Sequence, residues 1–465
     1  MDRYDVVVIG AGMSGLAAAI RAGLAGRSVL VLEKHEAPGG LNSFYRQDGR
    51  TFDVGLHALT NFAEKGSRGA PLNKIFRQLR IPREAFDLNP QKGSRIAFPE
   101  AALRFTNDPE VLQEEVAARF PASIDGFRGL VRFVRGRDAT ALEDRGQLAR
   151  AFLESRIPDP LLREMILCPV FYYGSAIEDD IDLDQFAILF RSLYLEGFSR
   201  PVEGVRTIIR ALLRKLKEVG GERRMRCGVR RIVTESSRAV GLELDDGSEI
   251  RADRILSSAG LVETNRLCGL VEEREPVGRL SFVETISVYK CDPARFGWED
   301  TITFFSTRSR FHYRRPAEDL VDPRSGVICI PNHYDYGHGR ELKEGLVRLT
   351  ALADYDRWAG LAPDAYQAAK EEWFDRLREV AGRVLPPPKE DPARHLVARD
   401  MFTPRTVERF TGHLGGAVYG SSRKSKDGRT PFENLYLCGT DQGFLGIVGA
   451  MLSGISITNR YVVSG

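Results

Sequence analysis

The sequence has few cysteines, and they do not cluster. Six cysteines are spread along 465 residues, with no CxxC pair among them. So few and so dispersed cysteines exclude a disulfide framework, and we expect a reducing compartment. The missing CxxC pair removes a common zinc signal, and Gly337 breaks the helix that His333 and His338 would need to form a metal-binding pair. We therefore expect no metal site.

An excess of one charge is also missing, as is a long apolar run. Lys and Arg number 67 against 64 for Asp and Glu, and 43% of the residues are hydrophobic. This balance excludes a disordered chain and a polycation, so nucleic acid is not an expected partner. The longest uncharged stretch, residues 442–459, holds four glycines, which argues against a membrane span. The short apolar run at residues 6–9 predicts a strand rather than a secretory signal, and we expect a cytoplasmic protein.

A glycine-rich fingerprint lies inside the first strand–helix–strand pattern. Residues 5–33 predict a buried strand, an Ala-rich helix and a second strand, which together form a βαβ unit. Gly10, Gly12 and Gly15 form the GxGxxG motif at the turn between the first strand and the helix. Gly10 permits the tight turn, Gly12 lets a pyrophosphate approach the backbone, and Gly15 lets the helix pack closely on the strand. The motif predicts a dinucleotide site at the helix N-terminus.

Glu33 ends the second strand of this unit. A carboxylate there accepts hydrogen bonds from an unphosphorylated ribose, which favours FAD or NAD over NADP. Lys34 and the pair Gly39-Gly40 follow, and the bare backbone of the two glycines suits the approach of a second part of the cofactor. No second fingerprint follows a strand, so we expect no built-in NAD(P)H site. Electrons must then pass to or from an external partner, which is oxygen, a quinone or a separate reductase.

The GxGxxG motif, Glu33 and the Pro-Gly-Gly run of residues 38–40 resemble the FAD-binding signature of a known family. That family contains amine oxidases, carotenoid desaturases and isomerases, and retinol saturases. The resemblance implies FAD as the cofactor, and it extends to residues 201–232 and 435–450. In those two segments it implies cofactor contacts from Val229 at the adenine end, Gly439, Asp441 at ribityl or phosphate groups, Gly446, and the amides of Ile447 and Val448 facing the flavin ring.

The fold class that follows is α/β, with a Rossmann-like FAD-binding domain that is interrupted by a mixed α+β substrate domain. Residues 1–64, 201–270 and 421–465 are assigned to the FAD-binding domain, and residues 65–200 and 271–420 to the substrate domain. The division rests on a change of pattern, because amphipathic helices punctuated by proline fill the first insertion. Short strands and one helical block fill the second insertion.

His57 is the candidate catalytic residue. The segment that begins at Asp53 and ends at His57 resembles the part of the family that passes close to the flavin. An imidazole there delivers or accepts a proton while N5 of the flavin exchanges a hydride. A histidine that is hydrogen-bonded for structure alone is the alternative. The Gly-hydrophobic-His form and the spacing of residues 439–450 resemble retinol saturases more than carotenoid desaturases.

The resemblance implies a phytoene desaturase-like enzyme that acts on carbon–carbon bonds of a polyene or isoprenoid lipid. The sequence leaves the reaction open among saturation, desaturation and isomerisation. Aromatic runs at residues 171–173, 186–190 and 304–305 are candidates for an apolar tunnel, with ordinary core as the other interpretation. Residues 126–135 predict either a solvated helix or a peripheral contact with an anionic membrane. A flavin amine oxidase and a flavoprotein that holds FAD without catalysis are the alternatives.

Overall fold

The chain folds around two large β-sheets. The computed structural model describes residues 2–55, 57–67, 69–138 and 146–464. Its strands are β1 (Asp2–Ile9), β2 (Val29–Leu32), β3 (Phe44–Gln47), β4 (Arg50–Asp53), β5 (Asn89–Pro90), β6 (Ser94–Ala97), β7 (Ala102–Phe105), β8 (Ser199–Arg200), β9 (Glu222–Arg224), β10 (Val229–Glu235), β11 (Arg238–Leu244), β12 (Glu249–Ser257), β13 (Ser281–Tyr289), β14 (Ile302–Ser306), β15 (Val321–Cys329), β16 (Gly345–Ala353), β17 (Leu396–Phe402) and β18 (Leu435–Leu437). Its α-helices are α1 (Met13–Leu24), α2 (Pro71–Leu79), α3 (Pro109–Arg119), α4 (Ile124–Arg135), α5 (Ala149–Glu154), α6 (Pro160–Gly174), α7 (Leu183–Phe190), α8 (Val205–Glu218), α9 (Leu261–Leu267), α10 (Tyr355–Ala359), α11 (Pro363–Val384), α12 (Pro404–Thr411) and α13 (Gly446–Thr458).

The first sheet has a parallel centre and an antiparallel edge. Its strand order is β10-β11-β12-β1-β2-β9, and β18 pairs with the second half of β12. β1 is central because its apolar residues are buried on both faces. Val6 and Val8 pack with helices α1, α8 and α13, whereas Val7 and Ile9 pack with side chains of β10 to β12. The carboxyl ends of β1 and β2 meet at one edge, where the fingerprint glycines follow.

The second sheet is antiparallel except for one pair of strands. Its order is β17-β13-β16-β15-β14-β6-β7, with β14 and β6 parallel. Successive side chains of a strand point to opposite faces of a sheet. Val327 accordingly packs with the aromatic core under helices α3 to α7, whereas Ile328 packs with Trp373 and Leu377 of α11. Helix α11 therefore covers one face of the sheet, and the aromatic core covers the other face, which we call the aromatic front.

Each sheet takes its strands from one of the two sets of segments that the sequence assigns to the two domains. Helix α2 departs from that division. Leu72, Ile75 and Leu79 lie on one face of α2 and pack into the core of α1 and α13, although the sequence places them in the substrate domain. A strongly amphipathic helix packs where its apolar face is covered, and here the helices of the first sheet cover it. The boundaries themselves remain a prediction.

Helices α3 to α7 fill the insertion that the sequence predicts to be helical. The uncharged stretch near the C-terminus forms α13, which has 13 residues and is packed against α1. Among the residues that the structure describes, no helix has the length and apolarity needed to cross a membrane.

Candidate active site

A large cavity runs from the carboxyl ends of β1 and β2 to the aromatic front of the second sheet. Its volume is about 1210 Å³. A small-molecule site usually occupies about 300–1,000 Å³. The cavity therefore has room for a dinucleotide cofactor at one end and a second ligand at the other.

The fingerprint glycines form a cradle of bare backbone at the first end. A Cβ at Gly15 would lie 2.0 Å from the carbonyl oxygen of Gly10, so helix α1 packs directly on the turn. A Cβ at Gly12 would meet no atom of the described chain within 4 Å. Gly12 and Gly10 line the cavity, whereas Gly15 lies behind them. This open space beside the N-terminus of α1 fits a pyrophosphate, because the free N–H groups of the first helical turn face it.

The second glycine pair lies against the first motif. Gly39 donates its N–H to the carbonyl oxygen of Ala11 at 2.9 Å, and the Cβ position of Gly40 lies 3.6 Å from the Cα atom of Gly12. Both glycines have positive φ angles, 115° and 58°. A side chain at either position would be strained, so this close contact between two backbone segments requires glycine.

Glu33 and Lys34 lie at the rim of the same groove. The two carboxylate oxygens of Glu33 accept the N–H groups of Ala11 and His35 at 2.8 and 2.9 Å. The carboxylate is thus held at the end of β2, where it lines the cavity at the height expected for a ribose. Lys34 and Val229 line the cavity beside it.

The C-terminal motif divides between two positions. Gly446 and Ile447 open α13 and line the cavity, whereas Gly439, Asp441 and Val448 do not line it. Gly439 has a φ of 95°, and its Cβ position lies 2.8 Å from Oγ of Ser14, so it packs β18 against α1.

Asp441, which is expected at ribityl or phosphate groups, is bonded within the protein, and its contact with the cofactor stays a prediction. Its carboxylate accepts the N–H groups of Leu261 and Ser421 at 2.6 and 2.8 Å, and it forms an ion pair with Lys424 at 3.1 Å. Both side chains of the pair are buried. Burial lowers the pKa of Lys424, and the nearby Asp441 carboxylate raises that pKa but does not fully offset burial. In this structure Asp441 therefore fastens residues 421–424 to the first sheet.

His57 lies where the two ends of the cavity meet. Its Nε2 atom is 3.0 Å from Oε2 of Glu284 and 3.1 Å from Oγ1 of Thr350. The backbone carbonyl of His57 accepts hydrogen bonds from the Tyr334 hydroxyl at 2.9 Å and the Cys329 thiol at 3.6 Å. Backbone and ring are both held by the second sheet and its flanking loop, so the imidazole has a fixed position.

Arg348 keeps Glu284 ionised in a buried position. Its guanidinium forms an ion pair with the carboxylate and donates a further hydrogen bond to the carbonyl oxygen of Asp53 at 3.0 Å. Burial alone would raise the pKa of Glu284, but Arg348 and then His57 outweigh burial and lower that pKa from 4.5 to about 2. Asp53 in turn pairs with buried Arg200 at 2.5 Å. The site therefore holds paired charges in a protein interior.

Sequence reasoning missed Glu284, Arg348 and Thr350. All three lie on neighbouring antiparallel strands, since β13 pairs with β16 and places Glu284 directly opposite Thr350. Arg348 is two residues from Thr350, so its side chain emerges on the same face. The one available signal was a single charged residue within each of two buried strands that carry no other charge.

Aromatic and aliphatic side chains form the far end of the cavity. Tyr172, Phe282, Val327, Tyr419 and Leu445 line it. The Tyr172 hydroxyl is hydrogen-bonded to the hydroxyl of Ser325 at 2.9 Å, and the Tyr419 hydroxyl donates to the carbonyl oxygen of Tyr172. Because both hydroxyls are bonded within the protein, the two tyrosines add ring surface to this wall. We call these five residues the aromatic wall.

Fold and site together define a flavoprotein with a cofactor groove and an adjoining substrate cavity. The family described as flavin containing amine oxidoreductase matches residues 13–460. That match covers nearly the whole chain, so the chain belongs to this family.

Two curated relatives align over most of the sequence. Chloroplastic prolycopene isomerase of Arabidopsis thaliana is 25% identical over 505 residues, covering 98% of this chain and 82% of the relative. The 4,4'-diaponeurosporene oxygenase of Staphylococcus aureus (strain USA300) is 23% identical over 479 residues, covering 93% of each chain. Both names denote proteins that act on carotenoid-type compounds.

Solved structures agree on the fold. An oxidoreductase from Methanosarcina mazei has a TM-score of 0.64 at 17% identity and covers 98% of this chain and 99% of its own. A putrescine oxidase variant with redesigned cofactor binding has a TM-score of 0.63 at 17% identity and covers 100% and 99%. The chain is an FAD-dependent oxidoreductase, and the predictions of α/β fold class, enzyme class and FAD are confirmed.

Proposed function

We propose that this oxidoreductase acts on the carbon–carbon bonds of a carotenoid-type polyene. The observation that carries the proposal is the aromatic wall, an apolar surface that lines the same cavity as the cofactor groove. A polyene is a long apolar chain, and it gains free energy by leaving water for such a surface. The two carotenoid-related relatives support the same class of substrate.

Each part of the site has its place in that reaction. Gly10, Gly12, Glu33, Gly39 and Gly40 would hold the cofactor through backbone and carboxylate contacts. A bound flavin would supply hydride chemistry at one carbon of the bond, and in saturation or desaturation the second hydrogen would then move as a proton. The aromatic wall orients the chain and excludes water. His57, at the junction of the two ends of the cavity, holds or moves the substrate proton.

An amine substrate is the alternative, and the cavity favours it less. A carboxylate binds a protonated amine through a charge-assisted hydrogen bond. Glu284 is the carboxylate beside the aromatic wall, and Arg348 and His57 already pair with it. A cation placed there would have to compete with a buried guanidinium.

A peripheral membrane contact and an external electron partner complete the proposal.

The test uses the FAD-loaded protein under anaerobic conditions, in both flavin redox states. It is mixed with liposomes that carry carotenoid precursors, carotenoids or retinol, while flavin absorbance is followed and the lipids are analysed by mass and retention time. Loss of the oxidised flavin band with a two-hydrogen mass loss identifies desaturation, and reoxidation of reduced flavin with the reverse mass change identifies saturation. A changed retention time at constant mass identifies isomerisation. Bleaching by putrescine or cyclohexylamine, with no response to any lipid, would contradict the proposal.

A further inference from the structure

The hydrogen bonds around His57 fix which ring nitrogen carries its hydrogen. Nε2 faces the Glu284 carboxylate at 3.0 Å, and Thr350 donates its hydroxyl hydrogen to the same carboxylate oxygen at 3.2 Å. An ionised carboxylate accepts hydrogen bonds and donates none. The hydroxyl oxygen of Thr350, having given its hydrogen to Glu284, also serves as an acceptor at 3.1 Å from Nε2. Both neighbours therefore require a hydrogen on Nε2.

The other ring nitrogen is left for chemistry. Within the residues that the structure describes, no side chain or backbone group forms a hydrogen bond with Nδ1 of His57, while the ring lines the cavity. In a neutral imidazole with its hydrogen on Nε2, Nδ1 carries the lone pair. That lone pair is the basic site available to a molecule in the cavity.

We infer that Glu284 is a positioning residue that fixes the hydrogen of neutral His57 on Nε2, which makes Nδ1 the atom that accepts or gives the substrate proton. The inference rests on the proposed function, because it assigns the proton of that reaction. In desaturation, one carbon–hydrogen bond breaks, its proton moves to Nδ1 and its electron pair forms the new double bond, while the neighbouring carbon would lose a hydride to the oxidised flavin. In saturation, the reduced flavin would supply the hydride to one carbon, and the ring protonated at Nδ1 gives the proton to the other. Glu284 itself exchanges no proton, because Arg348 keeps it ionised.

The ionic side chains around His57 have partners within the protein, and the other titratable groups near it are uncharged. The neighbouring ionic side chains form pairs, which are Glu284 with Arg348, Asp53 with Arg200, and Asp400 with Lys370. The remaining titratable neighbours are Cys329, Tyr45, Tyr173 and Tyr334. Burial raises the pKa of each, that of Cys329 to about 12, so these groups stay neutral.

The direct test reads the tautomer without substrate. Nitrogen NMR of the FAD-free and FAD-loaded protein, labelled at its seven histidines, is recorded against pH. His57→Gln identifies the His57 signals by their loss. The account expects the Nε2–H tautomer of neutral His57 in both forms of the protein. An Nδ1–H tautomer would overturn the inference, whichever substrate the enzyme turns over.

The kinetic test separates positioning from folding. Glu284→Gln is expected to lower kcat about 10-fold or more with little change in KM, because the ring loses the acceptor that holds the hydrogen on Nε2. Since a Gln leaves Arg348 without its carboxylate, the double variant Glu284→Gln/Arg348→Met provides a charge-balanced form. Glu390→Gln removes the carboxylate beside His395, at 3.3 Å, and serves as a matched control. A kcat of both Glu284 variants equal to that of the control would overturn the inference, whereas turnover of amines in place of polyenes would overturn the proposed function alone.

Discussion

The carboxylate of Glu284 and the imidazole of His57 lie 3.0 Å apart, although 227 positions separate the two residues in the chain. His57 lies in the loop after the hairpin β3–β4, and Glu284 lies in the middle of β13, a nine-residue strand of the second sheet. Their contact joins the segment beside the cofactor groove to the sheet that carries the aromatic wall. It also explains why an ionised carboxylate is retained in a protein interior, where an unpaired charge is costly.

The Glu284 pair predicts a specific loss of stability in acid. A carboxyl group whose pKa falls from 4.5 to about 2 on folding stabilises the fold above pH 4.5, and this stabilisation is lost as the pH falls towards 2. The contribution amounts to about 3 kcal/mol. The double variant Glu284→Gln/Arg348→Met lacks it. Urea unfolding of the FAD-free proteins between pH 5 and 2 should show a shallower pH dependence in the variant, and equal slopes would contradict the assignment.

Substitution by alanine is expected to weaken FAD binding at Gly12 and to destabilise the fold at Gly15. Gly12→Ala places a methyl group in open cavity space, so the FAD-free protein should unfold at the wild-type temperature while the Kd for FAD rises about tenfold or more. Gly15→Ala places its methyl group 2.0 Å from the Gly10 carbonyl oxygen, so it should destabilise the fold by about 1–3 kcal/mol. Calorimetry of the FAD-free proteins and flavin fluorescence titration measure the two effects. Normal FAD affinity in Gly12→Ala would argue against the cradle.

Variants of Asp441 and Lys424 test whether Asp441 stabilises the fold through its ion pair or contacts the cofactor. Asp441→Asn leaves Lys424 buried without its partner, which should cost about 3–5 kcal/mol. The double variant Asp441→Asn/Lys424→Met removes the buried charge and should recover most of that stability. The structure predicts that the double variant also recovers FAD affinity. If it folds well and still fails to bind FAD, Asp441 contacts the cofactor directly, as the sequence resemblance implies.

The aromatic wall predicts a change in substrate affinity without a change in cofactor affinity. Val327→Thr keeps the shape of the side chain but adds a hydroxyl to the wall, which should raise KM for a polyene several-fold, since a buried hydroxyl without a partner costs about 1–3 kcal/mol. Ile328→Val, in the same strand but on the α11 face, should leave KM unchanged. Steady-state kinetics with liposomal substrate and FAD titration of both variants measure this. An unchanged KM in Val327→Thr would place the substrate elsewhere.

The cofactor half of the site was predictable because its signals are local. Gly10, Gly12 and Gly15 follow a strand and open a helix within a few residues, so spacing and element type together define their role. Glu33 follows from the same unit. The Pro-Gly-Gly run was recognisable by resemblance, and the structure shows its physical cause, since both glycines have positive φ angles and a Cβ at Gly39 would lie 2.7 Å from the carbonyl oxygen of Asn42.

The other half of the site depends on register across strands that are distant in sequence. Nothing local distinguishes Glu284 from any charged residue of a strand, and its role appears when β13 pairs with β16 and brings it opposite Thr350. Asp441 shows the reverse case. Its motif is local, but the direction of its carboxylate is set by Lys424 and the backbone of Leu261 and Ser421, which no spacing rule encodes. The position of α2 likewise depends on which core covers its apolar face.

The central claim is that one cavity holds the cofactor at its glycine-rich end and a polyene along its aromatic end. A crystal structure of the FAD-loaded protein with a bound carotenoid tests it most directly. The account predicts a polyene chain in contact with Phe282, Val327 and Tyr419, with Nδ1 of His57 facing a chain carbon. A flavin ring that itself fills the space against these three side chains, leaving no room for a chain, would contradict it.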